Sequence, residues 1–524
     1  MPFLVRPSAR LAASVALSFG VTLAASAAHA QTGITITDSI GYTQNFDTLA
    51  NIGTSSFLPQ GWLLFETGTN ANTTYAAGTG SANAGNTYSF GYSGSTERAL
   101  GTLLSGTLTP TIGAQFTNSS GLTVTALQIN YLGEQWRLGT LNRDADRLEF
   151  QYSLAPGAAL SDATTSPNWT GVNALDFSSL IRTGTIGALD GNLYRISIGQ
   201  RLEDLNWADQ GNFKIRWNDF NVFNADDGLA VDDFSLTATA FRTSGTGSVG
   251  NGTFSSIDVA AGSVTTFTGS SISSLSLNGG DIVLNNGTTV DQGLTITSGN
   301  VTMNDGSTIN GNVSTSGTGV FRMNGSSQNT VTTGGTVEIA GGSVNGITVF
   351  RGQTDLSGGT ITTVAAVGGN VTVSGTAAVN SLTANGSSVL TISGGTIQDL
   401  FGRGNSATTW SGGAISPFTI RLFDNSTLNL LGSNLTLSSA ILGSDAYGSY
   451  RQFTLNGLLL GGQSVSGVHL FDYLGGTEVG VVGNGSLYFN GAMAMGSLAA
   501  PEPTALALLL PIFGLAAVRR RQNT

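Results

Sequence analysis

The sequence predicts an all-β chain, with a jelly-roll-like β-sandwich at the N-terminus followed by a right-handed parallel β-helix, or solenoid. Three observations lead there. Of 524 residues, 74 are Gly and only 10% are charged, against about 7% and about 25% in an average globular chain, which disfavours a helical enzyme or a coiled coil. Apolar residues alternate with polar ones instead of recurring at a helical period. A Gly-containing unit of 17 to 19 residues repeats through the middle of the chain.

Residues 1–30 read as a secretory signal. Arg6 and Arg10 precede an apolar run over 11–27, and Ala28-His29-Ala30 supplies small residues at both specificity positions, which predicts cleavage after Ala30. Residues 31–240 hold five of the six Trp and 19 of the 31 acids. Period-two stretches at 122–131, 147–152, 212–217 and 229–237 predict strands separated by Gly, Asn, Asp and Pro turns, hence a two-sheet sandwich.

From 241 to 400 the composition changes. Between 243 and 400 there is no Trp, Tyr or Lys, and the markers Gly287, Gly306, Gly325, Gly342 and Gly359 are spaced 19, 19, 17 and 17 apart. Such a short unit cannot form a core alone, so the units must stack, with pairs such as Ile282 and Leu284, Val301 and Met303, or Val371 and Val373 pointing inward. About eight coils at about 4.8 Å each would give a rod of about 40 Å. A flexible Gly/Ser linker would not alternate in this way. Aromatic residues return in 401–496 (Trp410, Tyr447, Tyr450, Tyr473, Tyr488), where irregular final coils and a cap are expected to cover the open edge. In 497–524, Pro501-Glu502-Pro503 precedes a 15-residue apolar run and Arg519-Arg520-Arg521. A helix of that length reaches about 22 Å against about 30 Å of hydrocarbon, so a short transmembrane helix with transient insertion is expected, its arginines on the cytoplasmic side.

Several chemistries are excluded. Without Cys there is no disulfide, thiolate metal site or Cys nucleophile. After signal removal His469 is the only His, too few for a multi-histidine metal site, and a surface position suits it better than a catalytic one. Lys214, the only Lys, likewise reads as an edge or surface residue. The net charge of -11, or -15 for the body between the two terminal signals, argues against nucleic acid as a partner. No catalytic residue is assigned. Glu134, in Gly133-Glu134-Gln135-Trp136-Arg137, is either one of a pair of catalytic acids or half of an internal Glu–Arg pair fastening two strands. Asp226, Asp227, Asp232 and Asp233, with Asp219 upstream, suit either a calcium site or a loop tied down by hydrogen bonds; no other cofactor is expected. Asp232 and Asp233 cannot both point inward on one strand. The five Trp of the sandwich are core residues, or sugar-stacking platforms where exposed.

The Pro501-Glu502-Pro503, apolar helix and arginine cluster resemble the PEP-CTERM sorting signal of Gram-negative bacteria. That resemblance implies export through the inner membrane, exosortase as a partner, and delivery to the cell surface or the extracellular matrix. The repeat region resembles the passenger β-helices of autotransporters, although no translocating barrel is recognised and self-secretion is not expected. The 224–236 segment is similar to the last strand of jelly-roll and MAM-like extracellular domains. Together these imply a non-enzymatic surface or matrix protein used for adhesion or exopolysaccharide association. The alternative is a polysaccharide-active lyase or hydrolase using paired carboxylates.

Overall fold

The computed structural model describes residues 32–473, 478–482 and 486–490. The expected signal peptide (1–30) and the sorting signal with its apolar run (497–524) lie outside them. Among the described residues the chain is nearly all strand, with one three-residue helical turn at Asn173–Leu175, and no helix is long and apolar enough to cross a membrane.

The head is a sandwich. One sheet is built on Thr109–Asn118, Asn212–Phe220 and Arg147–Ser153. The other is built on Gly228–Arg242, which pairs with Ala99–Leu103 on one side and with Thr123–Leu138 on the other, and Arg195–Leu202 pairs with the latter in turn. Alternation sends one face of each strand into the gap. There Trp62 and Trp217 from the first sheet meet Phe234 and Tyr131 from the second, with ring centroids 5.3–6.0 Å apart. Edge-to-face rings at these distances add packing energy to the area they bury.

The composition change near Phe241 is not a break in the backbone. Gly228–Arg242 runs through it, and its end pairs in parallel with the first coil, Phe241 with Ile257 and Arg242 with Asp258. From there parallel ladders carry about ten turns, from Thr246–Gly250 to Thr427–Leu430, each step shifting the register by 16 to 20 residues. Parallel pairing needs a crossover between partners, and here the rest of each coil supplies it. The alternating aliphatics point inward as expected: Ile282, Leu284, Ile296, Val301, Met303 and Val373 are at most 1% exposed. Amide ladders stack on the surface, with Asn324 donating to Asn304 and Asn304 to Asn285, each at 2.9 Å. Where coils meet at a corner, Gly352 has φ +83°, and a Cβ there would lie 2.0 Å from the Gly335 carbonyl oxygen.

The regular coils continue past residue 400, beyond the expected end of the repeat. Ala407–Leu422 and Thr427–Leu430 keep the ladder, with the buried Trp410 replacing an aliphatic inside. The sequence repeat loosens here while the stacking continues, in steps of 18 to 20 residues. The cap is antiparallel: Gly448–Leu459 pairs with Gly432–Leu437, Ile441–Asp445 and Ser464–Asp472. Ser464–Asp472 returns in parallel onto Ala407–Leu422, covering that part of its edge.

Candidate functional sites

The acidic run of the head is divided by the strand that carries it. Asp226 and Asp227 lie just before Gly228–Arg242, and Asp232 lies within it; five residues at about 3.3 Å each separate Asp227 from Asp232 by about 16 Å. The four carboxylates therefore do not surround one point, which corrects the expectation of a single calcium loop. Asp227 is a structural tie. It accepts hydrogen bonds from the Gly139 amide (2.6 Å) and Gln135 (3.2 Å) and pairs with Arg143 at 3.2 Å, while its own amide donates to Asp146 at 2.7 Å. Burial, then the nearby Asp146 charge, pushes the Asp226 carboxyl up to about 7. The same two causes, in the same order, raise Asp219 well above the carboxylate range.

Asp232 is buried and Asp233 exposed, as alternation requires, but a bulge separates them: Asp233 has φ +45° and the pairing register slips between Asp232 and Ser235. Asp233 opens onto a depression lined by Thr43, Gln44, Asn45 and Phe234, with no second carboxylate among them.

Glu134 has no exposed surface. It faces Arg195 across the strand pair, 3.9 Å away, and accepts a 2.8 Å bond from the Trp136 indole. This is the cross-strand Glu–Arg arrangement, with Arg195 as partner; Arg137 instead bonds the carbonyls of Gly80 and Ser81. Burial raises the Glu134 carboxyl to about 7, against the pull of the indole. Burial first, then Glu134 itself, raises Asp232 to about 8. Lys214 donates to the Ala158 carbonyl, and His469 is exposed beside Gln452.

The head tryptophans are core residues. Trp62, Trp136, Trp207 and Trp217 are at most 1% exposed, and Trp169, at 6%, is covered by the Arg216 guanidinium 4.1 Å above its ring. They offer no sugar platform. An aromatic surface lies instead at the far end of the solenoid, where sequence reasoning did not place it. Three adjacent strands in parallel register carry it: Phe401 lies beside Arg421, and Arg421 beside Phe471. Two residues further along each strand, on the same outward face, come Arg403, Phe423 and Tyr473. The result is two columns: Phe401–Arg421–Phe471, in which aromatic and guanidinium groups alternate, and Arg403–Phe423–Tyr473, with its guanidinium at one end. Phe423 and Tyr473 stack at 4.5 Å and 10°. Arg403 sits 4.4 Å over Phe423, and Arg421 lies 5.2–5.7 Å from Phe401, Tyr447 and Phe471. Tyr447, 53% exposed, projects from a cap hairpin over Phe401, Phe423 and Tyr473. The Tyr473 hydroxyl donates to Asp445 at 2.6 Å; burial and that bond push its pKa up to about 12.

A signal for this face exists in the sequence. Phe401-Gly402-Arg403, Arg421-Leu422-Phe423 and Phe471-Asp472-Tyr473 share one i, i+2 pattern; the first two are 20 residues apart, one coil, but the third follows 50 residues later.

No family model matches the chain, and no curated protein is similar to it. Among solved structures it is similar to TmCBM61 in complex with β-1,4-galactotriose, with 12% identity and a TM-score of 0.19, over 34% of this chain and 88% of that one. It is also similar to the K2 cleaved adhesin domain of Lys-gingipain, with 12% identity and a TM-score of 0.22, over 38% of this chain and 98% of that one. At these scores the likeness carries no argument about function.

Proposed function

We propose that the chain is an exported, non-enzymatic surface or matrix protein, whose solenoid holds an aromatic and arginine face away from the head to bind polysaccharide. The two columns at the solenoid end carry this reading. The exposed Tyr447 ring and the partly exposed rings beside it offer apolar surface to the C–H faces of sugars, and the guanidinium groups among them offer hydrogen-bond donors to hydroxyls or carboxylates. Export, exosortase processing and transient membrane insertion rest on the terminal segments and belong to the same proposal. Affinity electrophoresis through gels containing acidic and neutral bacterial polysaccharides tests the binding. Retardation that is lost in Tyr447→Ala, with an unchanged circular dichroism spectrum, is expected; equal retardation of both proteins overturns the assignment of the face. Mass spectrometry of protein from its native cells tests the sorting, and a mature C-terminus that still carries Arg521 refutes it.

The alternative, a polysaccharide-active enzyme, would need its acids to reach a glycosidic bond. Glu134 and Asp226 are at most 5% exposed, so substrate would have to open the strand layer first. Turnover abolished by Glu134→Gln or Asp226→Asn would favour that reading.

A further inference from the structure

On the outer face of the second sheet of the head, three carboxylates converge from three segments. Glu97 comes from the turn before Ala99–Leu103, Glu134 from Thr123–Leu138 and Asp232 from Gly228–Arg242. One oxygen of each lies within 4.8 Å of the other two. The register explains the meeting. Gly228–Arg242 is the middle strand, with Asp232 opposite Leu132 and Ala230 opposite Glu134. Residues opposite one another, and those two apart on a strand, share a face, so Asp232 and Glu134 project to the same side.

Their hydrogen bonding is incomplete in a specific way. Glu134 gives Oε2 to the Trp136 indole, and Glu97 gives Oε2 to the Asn192 amide at 2.7 Å. The remaining oxygens, Glu134 Oε1 and Glu97 Oε1, together with Asp232 Oδ1, are buried and accept no hydrogen bond. Glu134 is 0% and Asp232 4% exposed. The nearest counter-charge is Arg195, 43% exposed and 3.9 Å from Glu134. Three carboxylates this close, two of them buried and each with an oxygen that accepts no hydrogen bond, carry a large repulsive and desolvation cost that either protonation or a cation among them relieves.

We infer that Glu97, Glu134 and Asp232 form a binding site for one divalent cation of the calcium type. The donors are all oxygen, which suits a hard cation and not zinc or copper. Calcium tolerates irregular six- to eight-fold shells of carboxylate, carbonyl and water oxygens, whereas magnesium demands a near-octahedral one. Glu97, only half-buried, marks the side from which ion and water enter. The bound ion would fasten the central strand to its neighbour and to the turn before Ala99–Leu103. The site shares only Asp232 with the acidic run singled out in the sequence and is independent of the aromatic face.

The test uses mature protein stripped with EDTA and dialysed, titrated with calcium chloride alone and with magnesium chloride alone by calorimetry, alongside thermal unfolding. One calcium per chain, a higher melting temperature with calcium and much weaker magnesium binding are expected. Asp232→Asn is expected to weaken calcium by about tenfold or more. Glu97→Gln, at the open side, is expected to do the same while keeping the native circular dichroism spectrum, so the test survives if the buried variant fails to fold. No binding heat together with an unchanged melting temperature overturns the proposal. Calcium binding undiminished in a folded Glu97→Gln variant overturns it as well, by placing the ion elsewhere.

Discussion

Replacing Gly352 by Ala tests whether the coils stack as closely as described. The new methyl would lie 2.0 Å from the Gly335 carbonyl oxygen in the preceding coil, and φ is +83°. The left-handed backbone costs a residue with a Cβ about 1–2 kcal/mol. Forcing the coils apart adds about 1–3 kcal/mol of overpacking, for a total of about 2–5 kcal/mol. Gly262 is the control: its φ is +77°, but a Cβ there meets nothing within 4 Å, so Gly262→Ala should cost only the backbone part, about 1–2 kcal/mol. Urea unfolding followed by circular dichroism, with hydrogen exchange of the amides over 336–373, reads both. The Gly352 variant should unfold at lower urea and lose protection in its own coil and the coils on either side, because solenoid stability is carried by nearest-neighbour interfaces. Equal midpoints for the two variants would refute close coil stacking at this corner.

Three further outcomes are expected. The Asp226 carboxyl titrates near 7 in the fold against 3.8 as its ordinary value, so its contribution to stability is fully present below about pH 4 and lost as pH rises to about 7, on the order of 4 kcal/mol; thermal unfolding of Asp226→Asn from pH 4 to 8 should show a flatter dependence, with the variant the more stable at pH 8. Arg143→Met leaves Asp146 and Asp227 buried without their shared cation and should cost about 3–5 kcal/mol by chemical unfolding. Asn304→Ala removes the middle rung of an amide ladder and both of its 2.9 Å bonds, which should cost about 1–3 kcal/mol, read by loss of exchange protection in the flanking coils.

The solenoid was legible because its rule is local. A repeat too short for its own core, with apolar residues two apart, has few outcomes besides stacking, and Ile282, Leu284, Val301 and Met303 point inward as that rule requires. Its extent was less legible: Trp410 and the 20-residue coil at Ala407–Leu422 keep the ladder while breaking the period that identified it. The acidic run misled because neighbours in sequence diverge on a strand, so Asp227 and Asp232 end far apart, whereas Glu97, 37 residues before Glu134, meets both Glu134 and Asp232 through strand pairing. The aromatic columns were hidden for the same reason, since the cap hairpins intervene between Phe423 and Phe471. Non-local pairing, which adjacency in sequence does not reveal, brings both groups of side chains together.

The solenoid end is the surface proposed to meet polysaccharide. Hydrogen exchange of the intact protein, with and without a polysaccharide that retards it on a gel, tests this directly. New protection is expected in 399–423 and 445–473, and none in the head. Protection confined to the head strands, with the solenoid end unchanged, would contradict it.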